Sequence, residues 1–168
     1  STESENLLSK IRYLAKGLGV RWVILDHLSI VVSGLETYDE RKLIDITMTR
    51  LRSLVDETGI GLILVSHLRR PEGNKGYEDG VQTSLNALRG SQAISQLADC
   101  VIGLERDQND DENKKFTTVR VLKNRHVGDT GKCGTLFFNT LPPRPGILYF
   151  RPLKSSGEVI SFRNQPPD

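Results

Sequence analysis

Four apolar runs in this sequence end in side chains suited to a polyanion. Trp22-Val23-Ile24-Leu25 leads into Asp26-His27, and Ile60 to Val65 leads into Ser66-His67. Cys100 to Leu104 leads into Glu105-Arg106, and Phe116 to Leu122 leads into Lys123-Asn124-Arg125. A carboxylate fixed at a strand tip can hold Mg²⁺, directly or through water, beside phosphates. Asp26, following an apolar strand, has this Walker B form. A polar side chain such as His67 could sense a terminal phosphate, and Arg125 could stabilise charge on a transferring phosphoryl group, as an arginine finger does. Each residue also has a plainer reading. A strand-end Asp often caps or turns the chain, a strand-end His is often structural, and most arginines simply sit at the surface.

These positions matter because of the elements that carry them. Leu7, Leu8, Ile11, Leu14 and Ala15 recur at helical spacing and predict a helix over residues 4–17, stopped by Gly17 and Gly19. Val20 to Asp26 and Ile60 to Ser66 read as buried parallel strands. Between them, Asp39-Glu40 opens a helix whose Ile44, Met48, Leu51 and Val55 share one face, and Gly59 ends it. Leu85 to Ala98 reads as a short helix, and Cys100 to Leu104 as a third strand. Phe116 to Lys123 and Gly134 to Phe138 read as two strands around a turn at Gly128-Asp129-Thr130-Gly131. Strands alternating with amphipathic helices predict an α/β fold, parallel at first, with the last two strands antiparallel on its edge. In such open sheets, ligands bind beyond the carboxyl ends of the strands. The loop from His67 to about Gln82 carries Arg69, Arg70 and Lys75, cations that could face DNA, but Glu72, Glu78 and Asp79 offset them. Beyond Leu141 the chain is Pro-rich, and its end is expected to fray.

The bulk properties fit this picture. With 168 residues, 37% hydrophobic and 26% charged, the chain can bury one sizeable core. Its net charge of +2 gives no strong overall field, so any nucleic-acid contact must be local. Cys100 and Cys133 lie far apart in sequence and suit a reducing compartment. No apolar run approaches the ~20 residues of a membrane span, and the polar, acidic start is unlike a signal peptide. The absence of an initial Met suggests processing, excision or a fragment. Gly131-Lys132-Cys133 is not a phosphate loop. G-x-x-x-x-G-K-[ST] would need Gly at His126 and Ser or Thr at Cys133, and a helix rather than a strand would have to follow.

Taken in order, the blocks are more specific than any single residue. Val23-Ile24-Leu25-Asp26-His27-Leu28-Ser29-Ile30-Val31-Val32 comes first, followed by Asp39-Glu40-Arg41-Lys42 and Ser66-His67-Leu68. Leu88-Arg89-Gly90-Ser91, Leu104-Glu105-Arg106 and Leu122-Lys123-Asn124-Arg125 with Gly128-Asp129-Thr130-Gly131 complete the set. The series resembles the C-terminal helicase domain of phage T7-type primase-helicases, in the ring-helicase superfamily that includes bacterial DnaB and mitochondrial Twinkle. The likeness covers roughly residues 6 to 140.

The resemblance implies a RecA-type P-loop NTPase core that lacks its Walker A unit. It places motor-domain sequence over residues 1–141 and a poorly matched Pro-rich extension over 142–168. It implies a 5′→3′ replicative DNA helicase, a homo-hexameric ring around single-stranded DNA, with Mg²⁺ and with ATP or dTTP as substrate. It also suggests replisome partners, no membrane, and a phage-encoded protein in the cytoplasm of a bacterial cell. By position, Asp26 matches the Walker B aspartate, and His67 matches the residue coupling nucleotide state to the DNA loop, with Gln96 near it. Arg69, Arg70 and Lys75 match the central-channel loop. Arg125 matches a finger serving the neighbouring subunit, and Arg106 and Phe138 flank the base. The family's Walker A loop and catalytic glutamate have no counterpart here, so the 168 residues alone are expected not to hydrolyse nucleotide. The tail lacks the acidic run that the T7-type protein uses for polymerase contact. Two further classes share parts of this pattern. A RecA-type strand-exchange recombinase should lack the Arg-Gly-Ser and Lys-Asn-Arg…Gly-Asp-Thr-Gly blocks, and a non-catalytic RecA-fold module has no need of the sensor and finger residues.

Overall fold

The computed structural model describes residues 3–28, 37–88, 92–112, 114–139 and 147–153. Ser29 to Val32 and Arg89-Gly90-Ser91 of the blocks above lie outside them. The chain forms two compact units, Ser1–Arg69 with Leu88–Ala98, and Arg70–Ala87 with Asp99–Asp168.

In the first unit, α1 (Glu3–Arg12) is followed by a wider π-type turn at Tyr13–Gly17. The expected helix therefore changes pitch before Gly17, where a side chain would press on the Tyr13 ring at 3.0 Å. β1 (Trp22–Leu25) and β2 (Gly61–Leu64) flank α2 (Thr37–Thr58) in sequence and pair in parallel, with Leu25 opposite Leu64. The expected strands were longer at both ends. α2 ends where Gly59 takes φ +71 and its N–H bonds the Val55 carbonyl at 2.8 Å, a left-handed stop. Ile44, Met48 and Leu51 are buried as their spacing predicts, and Leu54 joins them. With Leu8 and Ile11 of α1, Leu28, Ile60, and Ile94 of α3 (Gln92–Leu97), they form one core cluster. The expected helix over Leu85 to Ala98 is a single 3₁₀ turn, Leu85–Ala87, and then α3.

Val23, Leu25, Leu62 and Leu64 press on this core from one sheet face. The other face is open: Trp22 and Ile24 are each 68% exposed, and Ile63 is 48% exposed. The continuous apolar runs read as strands covered on both sides, but among the described residues only one face is covered.

The second unit holds β3 (Cys100–Glu105), β4 (Phe116–Asn124), β5 (Gly131–Asn139) and β6 (Ile147–Pro152), antiparallel in that order. The antiparallel part is thus four strands, not the expected two. The reason lies in chain length. A parallel pair needs a crossover of a dozen or more residues, and the link from Glu105 to Phe116 is a charged hairpin that supplies no helix. β6 comes from the Pro-rich segment that the sequence reading left without structure. It pairs with β5 from Asn139↔Ile147 to Gly134↔Pro152. Gly134 is required here, because a side chain would enter the Phe150 ring at 2.5 Å.

Candidate functional site

The parallel register carries Asp26 and His67 to the same end of the first unit. Val65 N–H bonds the Leu25 carbonyl at 2.9 Å, and Leu28 N–H bonds the Val65 carbonyl at 3.0 Å. These bonds extend the pairing just past the strand tips. The His27 and His67 rings meet edge to face with centroids 4.1 Å apart. His27 Nδ1 lies 3.8 Å from Asp26 Oδ1, and the Asp26 side chain is 72% exposed. An acid, a neighbouring imidazole and a second imidazole thus form a continuous polar tip. His27, which the sequence reading quoted without a role, is the link between the other two. Its signal was its place beside Asp26, but no spacing rule could show that the two rings touch across the strands. Gln96 lies on exposed surface of α3, whose opposite side carries Ile94 into the core.

In the second unit the antiparallel sheet separates the candidate residues by end. Arg106 follows the tip of β3, where its Nε donates to the Lys114 carbonyl at 2.5 Å. Phe138 lies near the tip of β5, with its backbone opposite Leu148. β3 and β5 both run antiparallel to β4, so these tips share one end of the sheet. With β4 between them they stand roughly 10 Å apart. Arg125 follows β4 at the other end. From Thr118, opposite Glu105, to Asn124 the strand covers about 20 Å at ~3.3 Å per residue.

Arg125 sits on a turn built by its neighbour. Asn124 Oδ1 accepts from the N–H of His126 at 3.1 Å and of Val127 at 3.3 Å, and Gly128 N–H bonds the Asn124 carbonyl at 2.9 Å. This side-chain turn explains the Asn in Lys-Asn-Arg. The Arg125 side chain pairs with Asp99 at 3.0 Å and remains half exposed.

The long loop has a firmer base than its composition suggests. Arg69, Arg70 and Lys75 are exposed. Beyond Lys75 the chain is fastened to the end of β3. Glu105 Oε1 accepts from both the N–H and the Oγ1 of Thr83, each at 2.9 Å. Arg120 grips the same carboxylate through Nε at 2.7 Å and Nη2 at 3.1 Å. Burial opposes ionisation of Glu105, but the hydrogen bonds from Arg120 and Thr83 and the Arg120 charge outweigh it. The carboxyl is held below the usual carboxylate range. Gly103, mid-strand, leaves the space that Thr83 occupies, and an added Cβ would overlap the Thr83 Oγ1. Sequence reading took Glu105 only as a strand-end group beside a polyanion and assigned nothing to Thr83 or Arg120. The carboxylate is instead engaged by those two residues, a contact that joins positions 22 and 15 apart.

A recess of about 580 Å³ between α1 and α2 is lined by Glu5, Arg12, Arg50 and Glu57. It lies away from the strand tips. Its charges pair across it, Arg12 with Glu57 at 3.0 Å and Arg50 with Glu5 at 3.9 Å, so it is a clasp between helices. Among the described residues no helix is long and apolar enough to cross a membrane.

A family model described as the DnaB-like helicase C terminal domain matches residues 1–142. A DNA helicase/primase of Enterobacteria phage T3 is 45% identical over 137 residues, covering 82% of this chain and 24% of that protein. The chain therefore spans about a quarter of that relative's length. Among solved structures, a KaiC-like protein from Pyrococcus horikoshii is similar with a TM-score of 0.58, over 87% of this chain and 56% of that one. At 18% identity, this likeness concerns the fold alone. Family and fold together carry the RecA-type α/β reading made from the sequence.

Proposed function

Because this chain belongs to the DnaB-like helicase C-terminal domain family, we propose that it is the C-terminal part of the motor of a replicative DNA helicase. The motor is a hexameric ring whose subunits hydrolyse ATP or dTTP and draw single-stranded DNA through the centre, 5′ to 3′. The phosphate loop and catalytic glutamate belong to polypeptide upstream of these residues. The setting is the cytoplasm of a phage-infected bacterium, beside other replisome proteins.

The observation that carries this reading is the polarity of the antiparallel sheet. Arg106 and Phe138 stand at one end and Arg125 at the other, with about 20 Å of strand between. A base held at the first end puts Arg125, at the opposite end, on the side of a different nucleotide's phosphates, which is what a finger acting on a neighbouring subunit requires. In the first unit, Asp26 and His67 share one tip through His27. That arrangement suits a metal-side carboxylate and a sensor that must feel the same phosphate.

Mg²⁺ fits Asp26, since its carboxylate is 72% exposed and its contact with His27 Nδ1, at 3.8 Å, is longer than a hydrogen bond. Among the described residues no group of three His, Cys, Asp or Glu could hold a metal unaided. Asp26 therefore serves as one ligand, direct or through water, with phosphate oxygens and water as the rest. Mg²⁺ when bound neutralises phosphate charge. His67 reports the terminal phosphate toward Gln96 and the loop of Arg69, Arg70 and Lys75, whose cations hold the DNA backbone in a salt-sensitive way.

Mixed rings test this. In the complete parent protein, Arg125→Ala and Asp26→Asn are each expected to lower DNA-stimulated hydrolysis roughly 10³-fold or more. Mixing the two variants rebuilds some interfaces with both groups intact and restores part of the activity. Near-normal hydrolysis by Arg125→Ala, or no recovery on mixing, removes the assignment of Arg125 to a neighbour. The 168-residue chain by itself is expected to show no hydrolysis, and robust turnover from it would contradict the division of the active site.

A further inference from the structure

The loop from Arg70 to Ala87 is fastened at two places, to the last residue of β3 and to the segment after it. At its root, Thr83 is locked to Glu105 and through it to Arg120. Nearer its tip, Asp79 is the centre. Its Oδ2 accepts from Gly76 N–H at 2.7 Å, and its Oδ1 accepts from Asn109 Nδ2 at 2.5 Å. Beside it, Gln108 N–H bonds the Glu78 carbonyl at 2.8 Å, and Asp79 and Asp107 form an antiparallel bridge. Gly80 takes φ +76 where a Cβ would stand 3.1 Å from that of Asp107, so this close approach needs glycine. Residues 76–83 and 105–109 thus form a laddered strap. The exposed stretch Glu72 to Lys75 projects from its free end.

Glu78 and Asp79 are an odd choice for a loop that meets phosphates. On charge alone they oppose binding. The geometry points to a positioning role: we infer that Asp79 and Asn109, with the Glu105–Thr83 lock behind them, hold the loop in the shape in which Lys75 meets single-stranded DNA. The inference rests on the strand-binding reading proposed above. Holding the loop before binding removes ordering entropy that a free loop would lose on the strand. The same ladder places the DNA-facing loop and the base-flanking Arg106 on one piece of backbone.

Charge and positioning predict opposite outcomes for one substitution. Asp79→Ala removes a negative charge, so electrostatics alone tightens binding to DNA. Positioning weakens it. The experiment is fluorescence anisotropy of a labelled oligothymidylate with the complete parent protein across a salt series. Asp79→Ala and the charge-neutral Asn109→Ala are each expected to weaken binding about tenfold, with the wild-type slope against salt retained because no cation is lost. Lys75→Ala should instead reduce that slope by ~1. Circular dichroism and urea midpoints identify any variant that has unfolded, and Asn109→Ala, at an exposed site, carries the test if Asp79→Ala does not fold. Equal or tighter binding by the folded variants, with Lys75→Ala still weakened, overturns the positioning role and leaves the strand-binding reading intact. No binding by the wild type at low salt, or no effect of Lys75→Ala, overturns the loop's contact with DNA and the positioning role together.

Discussion

Two arginines in this chain make ion pairs of very different weight. Arg125 meets Asp99 at 3.0 Å with both side chains well exposed, a setting in which an ion pair contributes little. The finger role proposed for Arg125 is compatible with so weak a hold, while the Asn124 turn beneath it fixes the backbone from which the side chain starts. Arg120 is the opposite case. Its partner Glu105 is only 8% exposed, and the pair is bidentate. Removing one member of such a pair leaves the other desolvated and unpaired. Glu105→Gln is therefore expected to cost about 3 kcal/mol in urea unfolding. The double replacement Glu105→Leu with Arg120→Met should cost clearly less than the sum of the singles, because neither charge is then stranded. A fully additive double variant would mean that the two side chains do not act as a unit.

At the scale of elements, α1 and the end of α2 are joined by one acid. Glu57 accepts from Arg12 at 3.0 Å and also pairs with Lys16. The hydrogen bonds from Arg12 and then Lys16 lower its pKa from the ordinary 4.5 to about 2. A carboxyl lowered by folding stabilises the fold above its unfolded value and loses that contribution as pH falls through the folded one. The clasp is thus fully present above about pH 4.5 and fades between pH 4.5 and 2. The thermal midpoint of Glu57→Gln should lie below wild type at neutral pH by a modest amount, since the site is exposed, and the gap should close toward pH 2. A gap independent of pH would mean that Glu57 acts by packing and not by charge. This clasp was not legible in the sequence, because Arg12 and Glu57 are 45 positions apart and neither motif nor period links them. What was legible came from local rules. The α2 face came from a 3.6-residue period, the stop at Gly59 from left-handed backbone, and the tips at Asp26 and His67 from apolar runs ending in polar residues. The turn after β4 was expected at Gly128-Asp129-Thr130-Gly131, but it lies at Arg125 to Val127 on the Asn124 side chain, and β5 already begins at Gly131. Pairing partners were not legible. β3 was taken with the parallel part until the short hairpin after Glu105 joined it to β4. β6 was hidden by prolines, which an edge strand tolerates where its N–H groups face outward.

For the molecule as a whole, the consequence with most reach is the open face of the β1–β2 pair. Parallel strands normally lie under cover on both faces. Here Val23, Leu25, Leu62 and Leu64 are covered, while Trp22, Ile24 and Ile63 are largely exposed and neighbour one another in register. The Trp22 ring lies over Gly61, where a side chain would collide with it, so the exposed face is flat and aromatic at one end. Apolar surface of this kind is removed from water by whatever protein surface reaches it first. In the 168-residue chain at high concentration, the available surface is another copy. Association that rises with concentration is expected in light scattering, strengthening with sulfate and not weakening with added salt, the sign of apolar rather than ionic contact. Ile24→Thr with Ile63→Thr, both β-formers at exposed positions, should suppress association while changing urea stability by no more than about 0.5 kcal/mol. A large loss of stability would instead place these two side chains in the folded core. If association is unchanged in the soluble double variant, another surface is responsible and the open face is tolerated as it stands.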